Sequence, residues 1–166
     1  MNLSAIRIAL ASFALALSAC SPAANTSAEK SGVDVPTPSN PIFGTWEMKS
    51  SIVAPWWGHS GAEPTADPTM AKFVFAPTKS SGPPILTCDK PRYTNNVMPQ
   101  RGLFEGNLPD PPKDAPALGF TSPDVIVVSF SCQSGTGDVL ADFPMLDDNT
   151  IMLGLDNVLY TYRRAG

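Results

Sequence analysis

The sequence predicts an all-β domain over residues 41–166, an antiparallel eight-stranded barrel or sandwich. Three observations predict this class. No amphipathic helical pattern of useful length follows residue 20, and about eight short runs rich in β-branched and aromatic residues take its place. Gly, Pro, Asn and Asp separate these runs, and such residues form the tight turns of antiparallel sheets.

The predicted strands in the first half of the domain are short and separated by prolines. The first strand covers residues 42–53, and the second covers residues 71–76. Residues 80–84 are predicted as a turn and residues 85–88 as a third strand, which the chain resumes at residues 93–95.

The second half of the domain opens with residues 101–106, predicted as a short strand or an extended arm, and residues 115–120, predicted as one helical turn. The strongest strand covers residues 124–132, because four consecutive β-branched residues favour a central position that is half or fully buried. A strand with a break at Pro144 follows. The chain closes with a hairpin over residues 151–163, whose two-residue turn is Asp-Asn.

The first 19 residues have the layout of a secretory signal peptide. Arg7 supplies the positive end, residues 8–17 are a nearly unbroken apolar run, and small residues precede a cysteine. An apolar helix of about 12 residues spans roughly 18 Å, which is shorter than a hydrocarbon core of ~30 Å. A permanent transmembrane helix is therefore the weaker interpretation.

The motif Leu17-Ser18-Ala19-Cys20 resembles the lipobox of bacterial lipoproteins. The resemblance implies that Cys20 begins the mature chain and carries a diacylglyceryl group on its sulfur. Several acyl chains hold a protein stably on a bilayer, whereas one holds it only marginally. The alternative is an ordinary cleaved signal with an incidental cysteine. Because Ser21 rather than Asp follows, the resemblance implies the periplasmic face of the outer membrane, with the inner membrane and the cell surface left open.

Residues 20–40 are predicted to be a flexible tether between the lipid and the domain. The segment is rich in Ser, Ala, Pro, Thr and Asn and has almost no large apolar residue. It therefore buries too little apolar area to offset the entropy of ordering. The predicted organisation is a signal peptide over residues 1–19, the lipidated Cys20 and tether over residues 20–40, and the β-barrel domain over residues 41–166.

The charge of the chain excludes one class of partner and leaves others. The sequence has fifteen acidic and eleven basic residues, and Arg7 is the only charged residue before Cys20. The mature chain therefore has ten basic residues and a net charge of 10 − 15 = −5. The basic stripe that nucleic-acid binding requires is missing, and nucleic acid is therefore not an expected partner. The expected contact with the membrane is the lipid on Cys20.

Cys88 and Cys132 remain when Cys20 is lipidated, and an even number of cysteines in an oxidising compartment predicts a disulfide bond between them. Closing a loop of about 45 residues stabilises a fold by roughly 3–4 kcal/mol in the chain-entropy model. The alternative is a reactive thiol beside His59, for which neither cysteine has the electropositive surroundings.

The Gly44-x-Trp46 opening, the number of strands and the closing hairpin together resemble lipocalin-type eight-stranded barrels. In that family the Trp packs across one closed end, and the other end opens on a cavity. The resemblance therefore implies a site for a small apolar ligand, and it makes Trp46, at the closed end, a candidate ligand- or partner-binding residue. The size, acidity and lipobox also resemble small envelope lipoproteins, some of which inhibit lysozymes.

Trp56 and Trp57 lie next to each other in a loop rich in Gly and Pro. One interpretation is that the two rings close an end of the barrel, and the other is that they form an aromatic contact surface for a partner or ligand. His59, Glu63 and Asp67 follow at four-residue spacing, but Pro64 argues against the helix that would align them as metal ligands. No metal site is expected.

No catalytic or cofactor motif is present in the sequence, which has no nucleophile elbow, phosphate loop, dinucleotide fingerprint or zinc helix. The chain is therefore expected not to be an enzyme and to need no cofactor. The leading hypothesis is a lipid-anchored envelope binding module that holds a small apolar ligand or an envelope component. The alternative is a protein-interaction lipoprotein, either an inhibitor of a hydrolase such as lysozyme or an accessory subunit of an outer-membrane assembly.

Overall fold

A computed structural model describes residues 39–134 and 137–166, and within them the domain is an eight-stranded antiparallel sheet that curls into a half-barrel. The predicted all-β class is confirmed. The order of the strands across the sheet is β3-β2-β1-β8-β7-β6-β5-β4. The strands are β1 Gly44–Val53, β2 Lys72–Phe75, β3 Ser80–Ser81, β4 Arg92–Pro99, β5 Asp124–Ser134, β6 Gly137–Asp147, β7 Thr150–Leu155 and β8 Val158–Arg164.

The helical elements of the described residues are all short. Helix α1 spans Pro111–Ala117, and three 3-10 helices span Pro68–Ala71, Pro84–Leu86 and Gln100–Gly106. Across these residues, no helix has the length and apolar character needed to cross a membrane. The predicted signal peptide, Cys20 and nearly all of the tether lie outside the described residues, so those predictions stay predictions.

Aromatic side chains fill the concave side of the curled sheet. Phe75 on β2 contacts the rings of Tyr93 on β4 and Phe130 on β5, with centroids 5.6 and 5.4 Å apart. These contacts bring opposite ends of the sheet together and define the curl. The largest core side chains are at most 2% exposed. They are Trp46, Phe73, Phe75, Phe130, Phe143, Tyr160 and Tyr162.

A second core lies on the convex side of the sheet, under the long connection from β4 to β5. Leu103 and Phe104 from this connection pack with Val125 and Val127 of β5. The next residue, Val128, faces the concave core instead. Strand β5 therefore contributes side chains to both cores, and three of its four consecutive β-branched residues are buried, whereas Ile126 is 49% exposed. It is an interior strand between β6 and the edge strand β4, not the central strand that the sequence predicts.

The predicted third strand at residues 85–88 is wrong. Residues 84–86 form a 3-10 helix, and Cys88 makes only an isolated bridge with Ser80. Ser80 belongs to the segment predicted as a turn, and its first two residues instead form β3. Pro83 and Pro84 explain the difference, because proline lacks the N–H that a ladder requires and its fixed φ suits the first turn of a helix.

The connection from β4 to β5 also differs from the prediction. Residues 101–106 belong to the 3-10 helix Gln100–Gly106, which is kinked where Phe104 and Glu105 adopt φ values of 52° and 60°. The predicted helical turn at residues 115–120 is present four residues earlier as α1, because prolines at its first positions favour a helix start.

The closing hairpin matches its prediction. Strands β7 and β8 pair from Thr150↔Arg163 to Leu155↔Val158. Asp156 and Asn157 connect them with φ values of 51° and 61°. Two consecutive positive φ values are typical of the type I′ turn, whose twist matches that of the strands.

The hydroxyl group of Tyr162 is buried on β8 and has no hydrogen-bond partner. Burial raises the pKa of this phenol well above its ordinary value. The hydroxyl of Tyr160 on the same strand accepts a hydrogen bond from the backbone N–H of Asp67 at 3.0 Å.

The two tyrosines predict opposite effects of the same substitution. We expect Tyr162→Phe to raise the free energy of unfolding by about 1 kcal/mol, because it removes a buried polar group without a partner, and Tyr160→Phe to lower it by a similar amount. Urea unfolding of the two variants measures the difference. Destabilisation by Tyr162→Phe would contradict the assignment of an unpaired hydroxyl.

Candidate functional site: a cleft between two strands

Strands β6 and β7 pair over only part of their length. Their ladder consists of Met145↔Ile151 and Asp147↔Thr150, with an irregularity between Met145 and Asp147. Beyond Met145, β6 continues to pair with β5 on its other side, and β7 continues to pair with β8. The sheet therefore splits into a fork at this point.

Two features of β6 explain the fork. Leu146 is the extra residue of a bulge, and a bulge bends its strand and disrupts the local ladder. Pro144 lies next to Met145, the last residue of β6 that pairs with β7, and a proline has no N–H to donate. The strand predicted to break at Pro144 instead continues through it, because Pro144 pairs with Val127 of β5. Pro144 coincides with the end of pairing to β7.

The fork holds a cavity of about 290 Å³, which we call the β6/β7 cleft. Residues 140–142 of β6 form one wall, and residues 153–156 form the other. Leu140 is 79% exposed, the highest value among the exposed large apolar residues of the described ranges. The cleft therefore combines apolar side chains with the edges of two strands.

The charged residues that line the β6/β7 cleft are all acidic: Glu105, Asp142 and Asp156. Asp142 accepts a hydrogen bond from the Ser129 hydroxyl at 2.6 Å, which leaves its second carboxylate oxygen available. Glu105 and Asp156 are exposed. No Lys or Arg is among the residues that line the cleft. The cleft thus presents a negative rim.

The two adjacent tryptophans have different surroundings. Trp56 lines the β6/β7 cleft, and its ring lies 5.4 Å from that of Phe104. A Cβ on Gly154 would lie 3.1 Å from the Trp56 ring, so a larger residue at this position would require the ring to shift slightly. The ring of Trp57 instead lies 4.7 Å from that of His59. Of the pair, only Trp56 belongs to the cleft.

Trp46 is fully buried and does not line the β6/β7 cleft. Its indole N–H donates to the carbonyl of Ile42 at 2.7 Å. The guanidinium of Arg164 lies over the ring, 4.3 Å from its centroid. The geometry places Trp46 in the core, beneath the start of the domain and the last strand.

Cys88 and Cys132 lie at disulfide distance, with their sulfur atoms 2.01 Å apart. Both residues are buried, at 6% and 5% exposure. Cys132 is on β5, and Cys88 follows the short 3-10 helix after β3. The pair therefore joins the two ends of the sheet on its concave side.

The residues considered as metal ligands do not form a site. Asp67 caps the first 3-10 helix, where its carboxylate accepts a hydrogen bond from the N–H of Thr69 at 2.8 Å. His59 and Glu63 lie exposed in the preceding loop. Within residues 39–134 and 137–166, no group of three His, Cys, Asp or Glu side chains is placed to hold a metal ion.

Comparison with known proteins provides no relative for this chain. No family model, no curated protein and no solved structure matches it. The geometry of the β6/β7 cleft is therefore the main indication of function. Of the residues that line the cleft, the sequence indicated Trp56 but not Leu140, Glu105 or Gly154. The available signal was Pro144, beside which the pairing of β6 with β7 ends.

Proposed function

We propose that the chain is a non-catalytic, lipid-anchored binding protein of the cell envelope that engages a partner protein at the β6/β7 cleft. The observation that carries this proposal is the juxtaposition of two strand edges with the exposed side chain of Leu140. Exposed strand edges and exposed apolar side chains are features of interaction surfaces.

The packing of the domain favours a protein partner over a small apolar ligand. A ligand held inside the barrel would need an interior cavity, whereas aromatic side chains occupy the concave side of the sheet. At about 290 Å³, the β6/β7 cleft is at the lower limit of typical small-molecule sites, and it opens to solvent. The acidic rim and the net charge of the mature chain suit a basic partner.

The lipid anchor on Cys20 predicts where the protein is found. We expect the wild-type chain to sediment with membranes and the Cys20→Ala chain to appear in the soluble fraction, because acyl chains on one sulfur supply the membrane affinity. Fractionation followed by immunoblotting measures this, with Ser21→Ala as a control that keeps the acceptor cysteine. A Cys20→Ala chain that still sediments with envelopes contradicts the anchor.

The site of partner binding is tested by two matched charge substitutions. Leu140 in the cleft is 79% exposed, and Val97 on β4 is 71% exposed, so a lysine at either position leaves the core intact. We expect Leu140→Lys to lose the proteins that co-purify with the wild-type chain from detergent-solubilised envelopes, and Val97→Lys to keep them. Identical sets of proteins for all three chains would contradict binding at the cleft.

A further inference from the structure

We infer that the β6/β7 cleft accepts an extended segment of its partner as an added β-strand, and that this segment carries Lys or Arg between apolar residues. The inference rests on the proposed function, because it names the chemistry of the partner at the same site. Addition of a strand to an exposed sheet edge is a known mode of peptide recognition, in which backbone hydrogen bonds supply affinity and side-chain pockets supply specificity.

The backbone along the fork has unpaired edges on both strands. Residues 138–143 of β6 pair only with β5, and residues 152–155 of β7 pair only with β8. In an antiparallel ladder, hydrogen-bonding groups alternate between the two sides of a strand. Within the described ranges, no backbone hydrogen bond from elsewhere occupies the remaining side of either stretch. Each wall of the cleft therefore presents N–H and C=O groups.

The walls of the cleft are long enough for a short peptide segment. Residues 140–142 and 153–155 line opposite sides of the cleft, three residues on each. A strand rises about 3.3 Å per residue, so each wall is roughly 10 Å long and matches a segment of about three or four residues. A short extended segment laid along one of these edges would pair with its free backbone groups, which a compact ligand would not do.

The lining of the cleft combines exposed apolar and acidic side chains. Successive side chains of an added strand point to opposite faces of the sheet. Leu140 and Ile85 are exposed apolar side chains at the cleft, at 79% and 37% exposure. Glu105 and Asp156 supply exposed carboxylates at the same cavity. A segment that carries both apolar and basic residues would suit these two sets of side chains, and an acidic segment would be repelled.

Three fluorescein-labelled peptides of eight residues separate the contributions of charge and of backbone hydrogen bonds to binding. The first alternates Lys and Val, the second has Glu in place of Lys, and the third is the Lys–Val peptide with alternate backbone nitrogens methylated. The third peptide keeps the charge and the apolar side chains but cannot donate hydrogen bonds along one edge. Binding is measured by fluorescence anisotropy to the wild-type protein in nanodiscs of neutral phosphatidylcholine, with empty nanodiscs as the blank.

We expect the Lys–Val peptide to bind at least about tenfold more tightly than either of the other two, a difference of about 1.4 kcal/mol. Leu140→Lys should weaken this binding by a similar factor, and Val97→Lys should not change it. Hydrogen exchange of the bound protein should slow in residues 138–143 and 152–155. Equal binding of the methylated peptide, equal binding of the Glu peptide, or unchanged exchange in both stretches would overturn the inference.

The outcomes also separate this inference from the proposed function. Co-purification that depends on Leu140, together with no binding of the Lys–Val peptide, would keep the cleft as the binding site and overturn strand addition. Conversely, the Lys–Val peptide could bind and slow exchange while Leu140→Lys leaves the co-purifying proteins unchanged. That result would keep strand addition and contradict an envelope partner at this site.

Discussion

Replacement of Arg164 by alanine is expected to lower the free energy of unfolding by about 3 kcal/mol. The guanidinium donates hydrogen bonds to the carbonyl oxygens of Pro41, Phe43 and Asp148. It also lies 4.3 Å from the centroid of the Trp46 ring. The substitution therefore removes several charge-assisted hydrogen bonds and a cation–π contact together, and it leaves partly buried carbonyl groups without a donor.

Two further variants define the cause of this loss. Arg164→Lys should fall between wild type and Arg164→Ala, because an ammonium group keeps the charge but lacks the planar fork that reaches several carbonyls. Arg163→Ala, on the exposed neighbouring residue of β8, should change the free energy of unfolding by no more than about 0.5 kcal/mol. Urea unfolding measures all three. Equal losses for Arg163→Ala and Arg164→Ala would show that the contacts over Trp46 are not the cause.

Loss of the bond between Cys88 and Cys132 is expected to lower the free energy of unfolding by roughly 3–4 kcal/mol. The two residues are 44 positions apart, so the bond restricts a long loop of the unfolded chain. The double variant Cys88→Ala/Cys132→Ala tests this without introducing a buried hydroxyl. Its unfolding curve should match that of the wild-type protein in reductant.

A reductant provides the control for the cysteine experiment. The double variant has no bond between these positions to reduce, and its unfolding midpoint should be the same with and without reductant. The wild-type midpoint should fall to that of the variant. A wild-type midpoint that reductant does not change, with both thiols shown to be reduced, would contradict a stabilising role for the bond.

The features that the sequence predicted well are those with a local or compositional cause. The Asp156-Asn157 turn depends on residues that tolerate positive φ, and both adopt it. The β-branched run of residues 125–128 predicted a buried strand, and three of its four residues, Val125, Val127 and Val128, enter the two cores. The all-β class followed from the same short-range patterns.

The features that the sequence did not predict depend on contacts between distant segments. Leu103 and Phe104 were assigned to a strand or arm from their apolar character, whereas packing on the convex face of the sheet holds them in a kinked 3-10 helix. Pro144 predicted a break, but a proline affects each side of a strand separately, and only pairing to β7 ends there. The exposure of Leu140 follows from that fork, and the residues next to it in the sequence do not predict it.

Photo-crosslinking from the β6/β7 cleft in living cells tests the central claim most directly. A photoreactive amino acid at position 140 should give a discrete adduct with one envelope protein, and the adduct should disappear in the Cys20→Ala chain. The same amino acid at position 97, which is comparably exposed on β4, should not give that adduct. No adduct from position 140, or the same adduct from both positions, would contradict a lipid-anchored protein that binds its partner at the cleft.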